Sequence, residues 1–483
     1  MAPTRPVRMI AVALALVLGA AVPLAARAEG APAAHTTPRS PAEYEGLAHD
    51  ILAELVGTNT THAVGSAQAT AKLAARLMAA GIPASDVYVG GPRPDKMNLV
   101  ARLRGRGKGK PVLFNGHLDV VEANREAWTV DPFQLTEQDG YFYGRGTVDM
   151  KNEVAVMVTN LIRLHAEGYR PDRDLILALS TDEEAGGDAN GAEWLLREQR
   201  QLVDAGLVIN TDGGVGGGQS LNGEQLWMTI QTSEKQYVTY TLTTHGAAGH
   251  SSLPTRDNAI ARLARALARL AAYQFPVRLS ETTRAYLEAL KTRLGAERAA
   301  AVAGVLANPP DPQAADALRD TPALNAQIHS TCTATVVQGG QSESALPVQA
   351  RATIQCRLLP DEKPDEVVAT LKRVVDDPQV EIGVGYAAIP SPATPMDAAL
   401  LAKVTHITEL LWPGLSVVPV MSAVASDNVY WRGAGLPTFG VSGSFMDQAD
   451  VRMHGIDERI GVTTFYKSLE FGYRLMKALT GGR

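Results

Sequence analysis

The 483 residues are 45% hydrophobic and 20% charged, a composition that can bury two hydrophobic cores. A formal net charge of −6 with no basic stripe argues against a nucleic-acid partner, and no internal repeat divides the chain. Arg5 and Arg8 precede an apolar run from Met9 to Val22, and Ala26-Arg27-Ala28 offers a small-x-small cleavage site. The run is too short to span a bilayer, so residues 1–28 read as a secretory signal peptide and residues 29–41, rich in Ala, Pro and Thr, as a flexible leader. No lipobox cysteine is present, and no later stretch is long and apolar enough to cross a membrane. The expectation is therefore a periplasmic or secreted protein, free of the membrane once the signal is removed.

Pro111 to Val120 is an apolar run that ends in polar residues, the pattern of a buried strand. Side chains alternate along a strand, so His117 and Asp119 point to the same side. A metal-bound imidazole needs its second nitrogen held by an acceptor, which casts Asp119 as a supporting residue rather than a ligand. Asp149 follows the glycine-rich turn at Gly144-Arg-Gly and precedes a helical stretch from Glu153 to His165. Its two oxygens could bridge two cations if the turn aims it inward. A second buried strand, Asp174 to Ser180, delivers Asp182-Glu183-Glu184. Adjacent residues diverge in direction, so one glutamate can bind metal while the other serves an attacking water as general base. A third apolar run, Leu207 to Asn210, ends at Asp212.

The middle of the chain changes character. Lys235 to Thr243 alternates like a half-exposed strand and leads into Gly249-His250-Ser-Ser. The following helix places Ile260, Leu263, Leu267 and Leu270 on one face. Another helix-like stretch, Glu281 to Leu306, reads as an insertion, because strand signals resume only near Gln327. Cys332 and Cys356 flank a turn around Gly339 to Pro347 and would face each other across a simple hairpin. In an oxidising compartment they suit a cross-strand disulfide; two buried thiols are the alternative. Far downstream, His454 lies just before a C-terminal helical segment. Any one of these acids or histidines could be a cap or a solvated group. Their occurrence in order, each after its own strand or turn, instead suggests two imidazoles and three carboxylates around metal, with Asp149 shared. That donor mix suits two zinc ions, with cobalt or manganese as substitutes.

The stretches Gly116-His-Leu-Asp-Val-Val, Gly144-Arg-Gly-Thr-Val-Asp-Met-Lys, Thr181-Asp-Glu-Glu-Ala-Gly and Met453-His-Gly-Ile-Asp-Glu resemble one family. It is the di-zinc metallopeptidases that include glutamate carboxypeptidase, succinyl-diaminopimelate desuccinylase, aminoacylase, carnosinase and carboxypeptidase S. The resemblance spans roughly residues 42 to 480. It implies an α/β fold: a discontinuous catalytic domain with a mixed sheet flanked by helices, residues 42–232 and 385–483, into which an α+β lid or dimerisation domain, residues 233–384, is inserted. It further implies His117, Asp149 and Asp212 on one zinc, Asp149, Glu184 and His454 on the other, Glu183 as acid/base, and Asp119 steadying His117. His250 matches an oxyanion-stabilising histidine that dimeric relatives take from the partner subunit. Arg357 matches an arginine that binds a substrate carboxylate. Gly443 lies where relatives let substrate approach the backbone. The chain departs from the pattern at Ser344, where many relatives carry asparagine; serine is shorter and has a single donor.

The activity expected is hydrolysis of an amide bond next to an amino-acid carboxylate, in a small peptide. An N-acyl-amino-acid amidohydrolase is the alternative, and a catalytically silent binding protein on the same scaffold is a third, from another class. A homodimer through the lid is compatible with the resemblance; side-chain preference is not legible.

Overall fold

The computed structural model describes residues 37–185, 187, 189–212 and 216–482. The expected signal peptide, most of the leader, Gly186 and Gly213 lie outside the described residues. The end of the leader is held in place, contrary to the flexibility expected of it. The Arg39 guanidinium pairs with Glu45, and buried Ser40 donates from Oγ to Glu470 of the C-terminal helix at 2.9 Å.

A ten-stranded mixed sheet forms the centre of the larger part. Its middle strand, Val112–His117, runs parallel to Leu175–Ser180 on one side and to Leu207–Asn210 on the other, with His117 level with Ser180 and Asn115 level with Asn210. All three are fully buried runs, as expected of parallel strands covered on both faces. Alternation decides which layer each residue joins. Val112, Phe114, Leu175, Leu177 and Ile209 pack under helices Ala42–Val56, Lys151–Ala166 and Val462–Thr480, whereas Leu113, Ile176 and Val208 join Leu195 and Trp431 on the opposite face. Thr438–Gly440 returns to this sheet beside Leu207–Asn210, so distant parts of the chain share it.

A second sheet has four antiparallel strands, in the order Thr331–Gly339, Gln349–Leu358, Gln236–His245 and Glu381–Tyr386. Helices Ala259–Ala272 and Pro364–Val375 contribute Leu263 and Leu371 to its own core, with Val238, Tyr240, Leu242 and Ile354. Ile260, expected on the core face, is 46% exposed: it lies in the first turn of its helix, near Gly339 and Gly340 at the sheet margin. The stretch expected as one helix over 281–306 is two, Glu281–Lys291 and Ala296–Leu306. Gly295 interrupts it as the cap of the second, and Leu287, Val302 and Val305 close a small core of their own with Leu318. Among the described residues no helix is long and apolar enough to cross a membrane.

Cys332 and Cys356 are register partners in the hairpin and form a disulfide, with Cα atoms 4.1 Å apart and 24 positions between them in sequence. Closing a loop of that size restricts the unfolded chain by about 3 kcal/mol. The double variant Cys332→Ala/Cys356→Ala is therefore expected to lose about 2–4 kcal/mol of unfolding free energy in a urea titration. Equal midpoints for variant and parent would show that the crosslink does not stabilise the protein.

Candidate active site

The three parallel strands end level with one another, so whatever follows each of them meets at one edge of the sheet. His117 closes the middle strand, Glu183 and Glu184 follow Ser180, and Asp212 lies two residues beyond Asn210. Asp149 reaches the same edge from the turn before helix Lys151–Ala166. Gly144 and Gly146 take positive φ there, a conformation L side chains rarely adopt, and the helix N-terminus favours a carboxylate.

The geometry converges on Asp149. Its Oδ1 lies 2.9 Å from His117 Nε2 and its Oδ2 lies 3.0 Å from His454 Nε2. His454 Nε2 is also 3.0 Å from Glu184 Oε2. One ligand atom each from His117, Asp149 and Asp212 lie within 4.8 Å of one another, and the same holds for Asp149, Glu184 and His454. Two groups able to hold a metal ion thus share one carboxylate.

The donor chemistry fits such ions. His117 Nδ1 faces the Asp119 carbonyl oxygen at 3.0 Å, an acceptor, so Nδ1 carries its proton there and Nε2 turns a lone pair toward the Asp149 carboxylate. Two acceptors at 2.9 Å need a cation between them. Burial pushes the Asp149 carboxyl up, yet pairing with His117 and His454 outweighs it and holds the group well below the usual carboxylate range. Hydrogen bonds to Asp149 and Glu184 push His454 up to about 10. Burial drives Glu183 well above its ordinary value; His117 opposes this, and the carboxylates of Asp427, Glu184 and Asp212 add to it.

A family model, peptidase family M20/M25/M40, matches residues 113–478. The chain belongs to this family. This M20 hydrolase is 29% identical to the N-fatty-acyl-amino acid synthase/hydrolase PM20D1 of Xenopus tropicalis over 76% of its own length and 72% of that protein. Probable carboxypeptidase S-like 2 of Dictyostelium discoideum is 28% identical, over 79% of this chain and 75% of that one. The succinyl-diaminopimelate desuccinylase of Parvibaculum lavamentivorans is 34% identical over 37% of this chain and 43% of its own. Among solved structures, an M20 family metallo-carboxypeptidase from Sulfolobus solfataricus superposes with a TM-score of 0.67 at 18% identity, covering 89% of this chain and 98% of that one. At that identity the likeness is one of fold.

Asp119 departs from expectation. Its carboxylate lies 3.8 Å from His117 Nδ1, and its backbone carbonyl is what faces that nitrogen. The carboxylate instead accepts from Glu183 N at 3.1 Å and Glu184 N at 3.0 Å, capping the turn that carries both glutamates. Gly443 is corrected as well. A Cβ there would lie 2.7 Å from Phe471 Cβ and 2.8 Å from Ser468 Cα, so the glycine admits the C-terminal helix against the sheet rather than a substrate. Arg357 does line the cavity beside Glu183 and Glu184, which has a volume of about 390 Å³. His250 is exposed, does not line that cavity within the chain, and holds Ser252 Oγ through Nδ1 at 2.8 Å. It pairs with Ala345, and Ser344 accepts from Ser251 N at 2.9 Å, so the departing serine and His250 share one exposed end of the smaller sheet.

Several supporting residues went unrecognised in the sequence. Glu458, four positions after His454, accepts through Oε1 from the backbone N–H of Gly146, Val148 and Asp149 at 2.8–3.1 Å and through Oε2 from Arg145 at 2.5 Å. It thereby ties the Asp149 turn to the His454 loop. Asp182 takes φ of 59° and is held by buried Lys96, Nζ to Oδ1 2.5 Å, which braces the Glu183-Glu184 turn from behind. Asp427 accepts from Asn190 at 2.8 Å and from Ser180, and it faces Glu183 across the cavity wall. It follows the strand Val417–Ser422, the strand-then-acid pattern that marked Asp182 and Asp212.

Because Glu458 sets the backbone that aims Asp149, Glu458→Gln is expected to weaken metal binding roughly 10–100-fold, as lost outer partners of ligands do. Chelator competition measures it; unchanged affinity would remove Glu458 from the site. Gly443→Ala is expected to cost about 1–3 kcal/mol through overpacking, read as a fall in the denaturation midpoint. A midpoint equal to the parent's would show that the helix can yield.

Proposed function

We propose that this M20 hydrolase uses two zinc ions to cleave an amide bond adjacent to an amino-acid carboxylate, with Glu183 as general base and acid. The observation carrying the proposal is the Asp149 carboxylate set between two imidazoles at 2.9 and 3.0 Å, with Glu183 in the cavity wall next to Glu184. His117, Asp149 and Asp212 would hold one ion and Asp149, Glu184 and His454 the other. When bound, such a pair acidifies water and polarises the scissile carbonyl. Glu183 takes the proton from the attacking water and returns it to the leaving nitrogen, and a carboxyl raised above its ordinary range suits that exchange near neutrality. Arg357 has a buried Nη1 with no hydrogen-bond partner, a vacant donor for the substrate carboxylate.

A peptide and an N-acyl amino acid present the same carbonyl and the same carboxylate to these groups. The amidohydrolase reading is favoured by similarity to proteins named N-fatty-acyl-amino acid synthase/hydrolase and desuccinylase. The peptidase reading is favoured by the carboxypeptidase S-like relatives. The N-terminal apolar run supports export by a signal peptide, and the exposed end of the smaller sheet that carries His250 supports pairing with a second copy.

Glu183→Gln is expected to lower kcat by about 10²–10⁴-fold on a panel of dipeptides and N-acetyl amino acids, while the variant still binds two zinc ions per chain by elemental analysis. Full turnover in the variant, or loss of metal together with turnover, would assign the glutamate another role.

A further inference from the structure

The cavity beside Glu183 and Glu184 has a charge pattern that bears on the substrate's side chain. Among its described lining residues Arg357 is the one cation, and it faces three acids, Glu183, Glu184 and Asp427. The remaining wall is aromatic and aliphatic. Tyr237 and Tyr386 come from the smaller sheet; Tyr430, Ile389, Val424 and Val429 come from segments outside it. The Arg357 guanidinium lies 4.7 Å from the centre of the Tyr237 ring, and the Tyr237 and Tyr386 rings meet edge to face at 5.4 Å. Tyr237 and Tyr386 are 36% and 37% exposed and Val424 is 50% exposed, so apolar surface is available for a ligand to cover. At about 390 Å³ the cavity is of a size that small ligands fill.

We infer that Tyr237, Tyr386 and Tyr430 select a neutral, aromatic or branched apolar side chain on the amino acid whose carboxylate pairs with Arg357. The inference rests on the amide-hydrolase reading above and adds its substrate class. The reasoning is one of placement. A side chain leaves the amino acid one carbon from its carboxylate. A carboxylate on Arg357 therefore sets that side chain against the Tyr237 ring stacked beside the guanidinium, and against Tyr386 beyond it. An acidic side chain would need a second cation and would meet three carboxylates instead. A lysine side chain would find those acids but would leave the aromatic wall uncovered. Glycine would cover none of it.

The test compares N-acetyl-L-phenylalanine, N-acetyl-L-leucine, N-acetyl-L-glutamate and N-acetylglycine on the zinc-loaded full chain. It adds calorimetric binding of the phenylalanine and glutamate compounds to Glu183→Gln. The expected result is kcat/KM for phenylalanine and leucine at least about 100-fold above glutamate and roughly 10–100-fold above glycine, a range pockets of this kind reach. Binding to Glu183→Gln should favour phenylalanine about tenfold or more. Tyr386→Ala should reduce the phenylalanine-to-glycine ratio about tenfold, and Tyr386→Phe should restore it, since the ring rather than the hydroxyl makes the wall. Preferential binding of phenylalanine with no turnover of any amide would uphold the side-chain selection and overturn the hydrolase reading. Glutamate bound or cleaved as well as phenylalanine, or a Tyr386→Ala variant with an unchanged ratio, would overturn the selection whatever the turnover.

Discussion

One carboxylate holds the active site together. Asp149 offers Oδ1 to an imidazole from position 117 and Oδ2 to an imidazole from position 454, and the remaining acids gather around that axis. Burying charged groups costs several kcal/mol per ion unless each is paired. Here acids outnumber the cations that touch them, which explains both the raised Glu183 and the demand for bound metal. The scaffold answers with rigidity. Asp119 caps the Glu183-Glu184 turn, Lys96 braces Asp182, and Glu458 gathers three backbone N–H groups around the Asp149 turn.

The same economy links the two sheets. The long strand Glu224–Glu234 ends the large sheet, and Gln236–His245 begins the small one directly afterwards. Between them Glu234 pairs with Arg432 at 3.2 Å in full burial, and Lys235 donates to the His329 carbonyl at 2.7 Å. This anchored crossing sets the small sheet over the edge where the metal ligands meet, so Tyr237 and Arg357 reach the cavity from one side while Asp427 and Tyr430 close it from the other. Chemistry and selectivity are thereby divided: the strand ends of the large sheet hold the reacting groups, and the small sheet contributes groups that read what is attached to the scissile bond.

Much of this was legible before any coordinates. Fully apolar runs ending in His117, Glu183 and Asp212 mark strands buried on both faces, and parallel strands must present their ends together. The hairpin placed Cys332 opposite Cys356 because pairing across a turn is symmetric about its middle. Errors fell where a local pattern underdetermines direction. The two-residue spacing of His117 and Asp119 fixes which side of a strand they share, yet the chain leaves the strand at His117, and the Asp119 carboxylate turns to the glutamate amides instead. Gly443 carries no side chain to betray its neighbour, and only the packed helix shows why a hydrogen is required there.

Residue types, order and strand-end placement were therefore determined by the sequence alone, since periodicity and burial act over a few neighbours. What depended on the tertiary structure was every relation that spans the chain: the meeting of His454 with Asp149 across 305 positions, the hold of Glu458 on the Asp149 turn, and the aromatic wall around Arg357. Such contacts arise from the register of the sheets and the seating of one sheet over another. No spacing within a single segment encodes either.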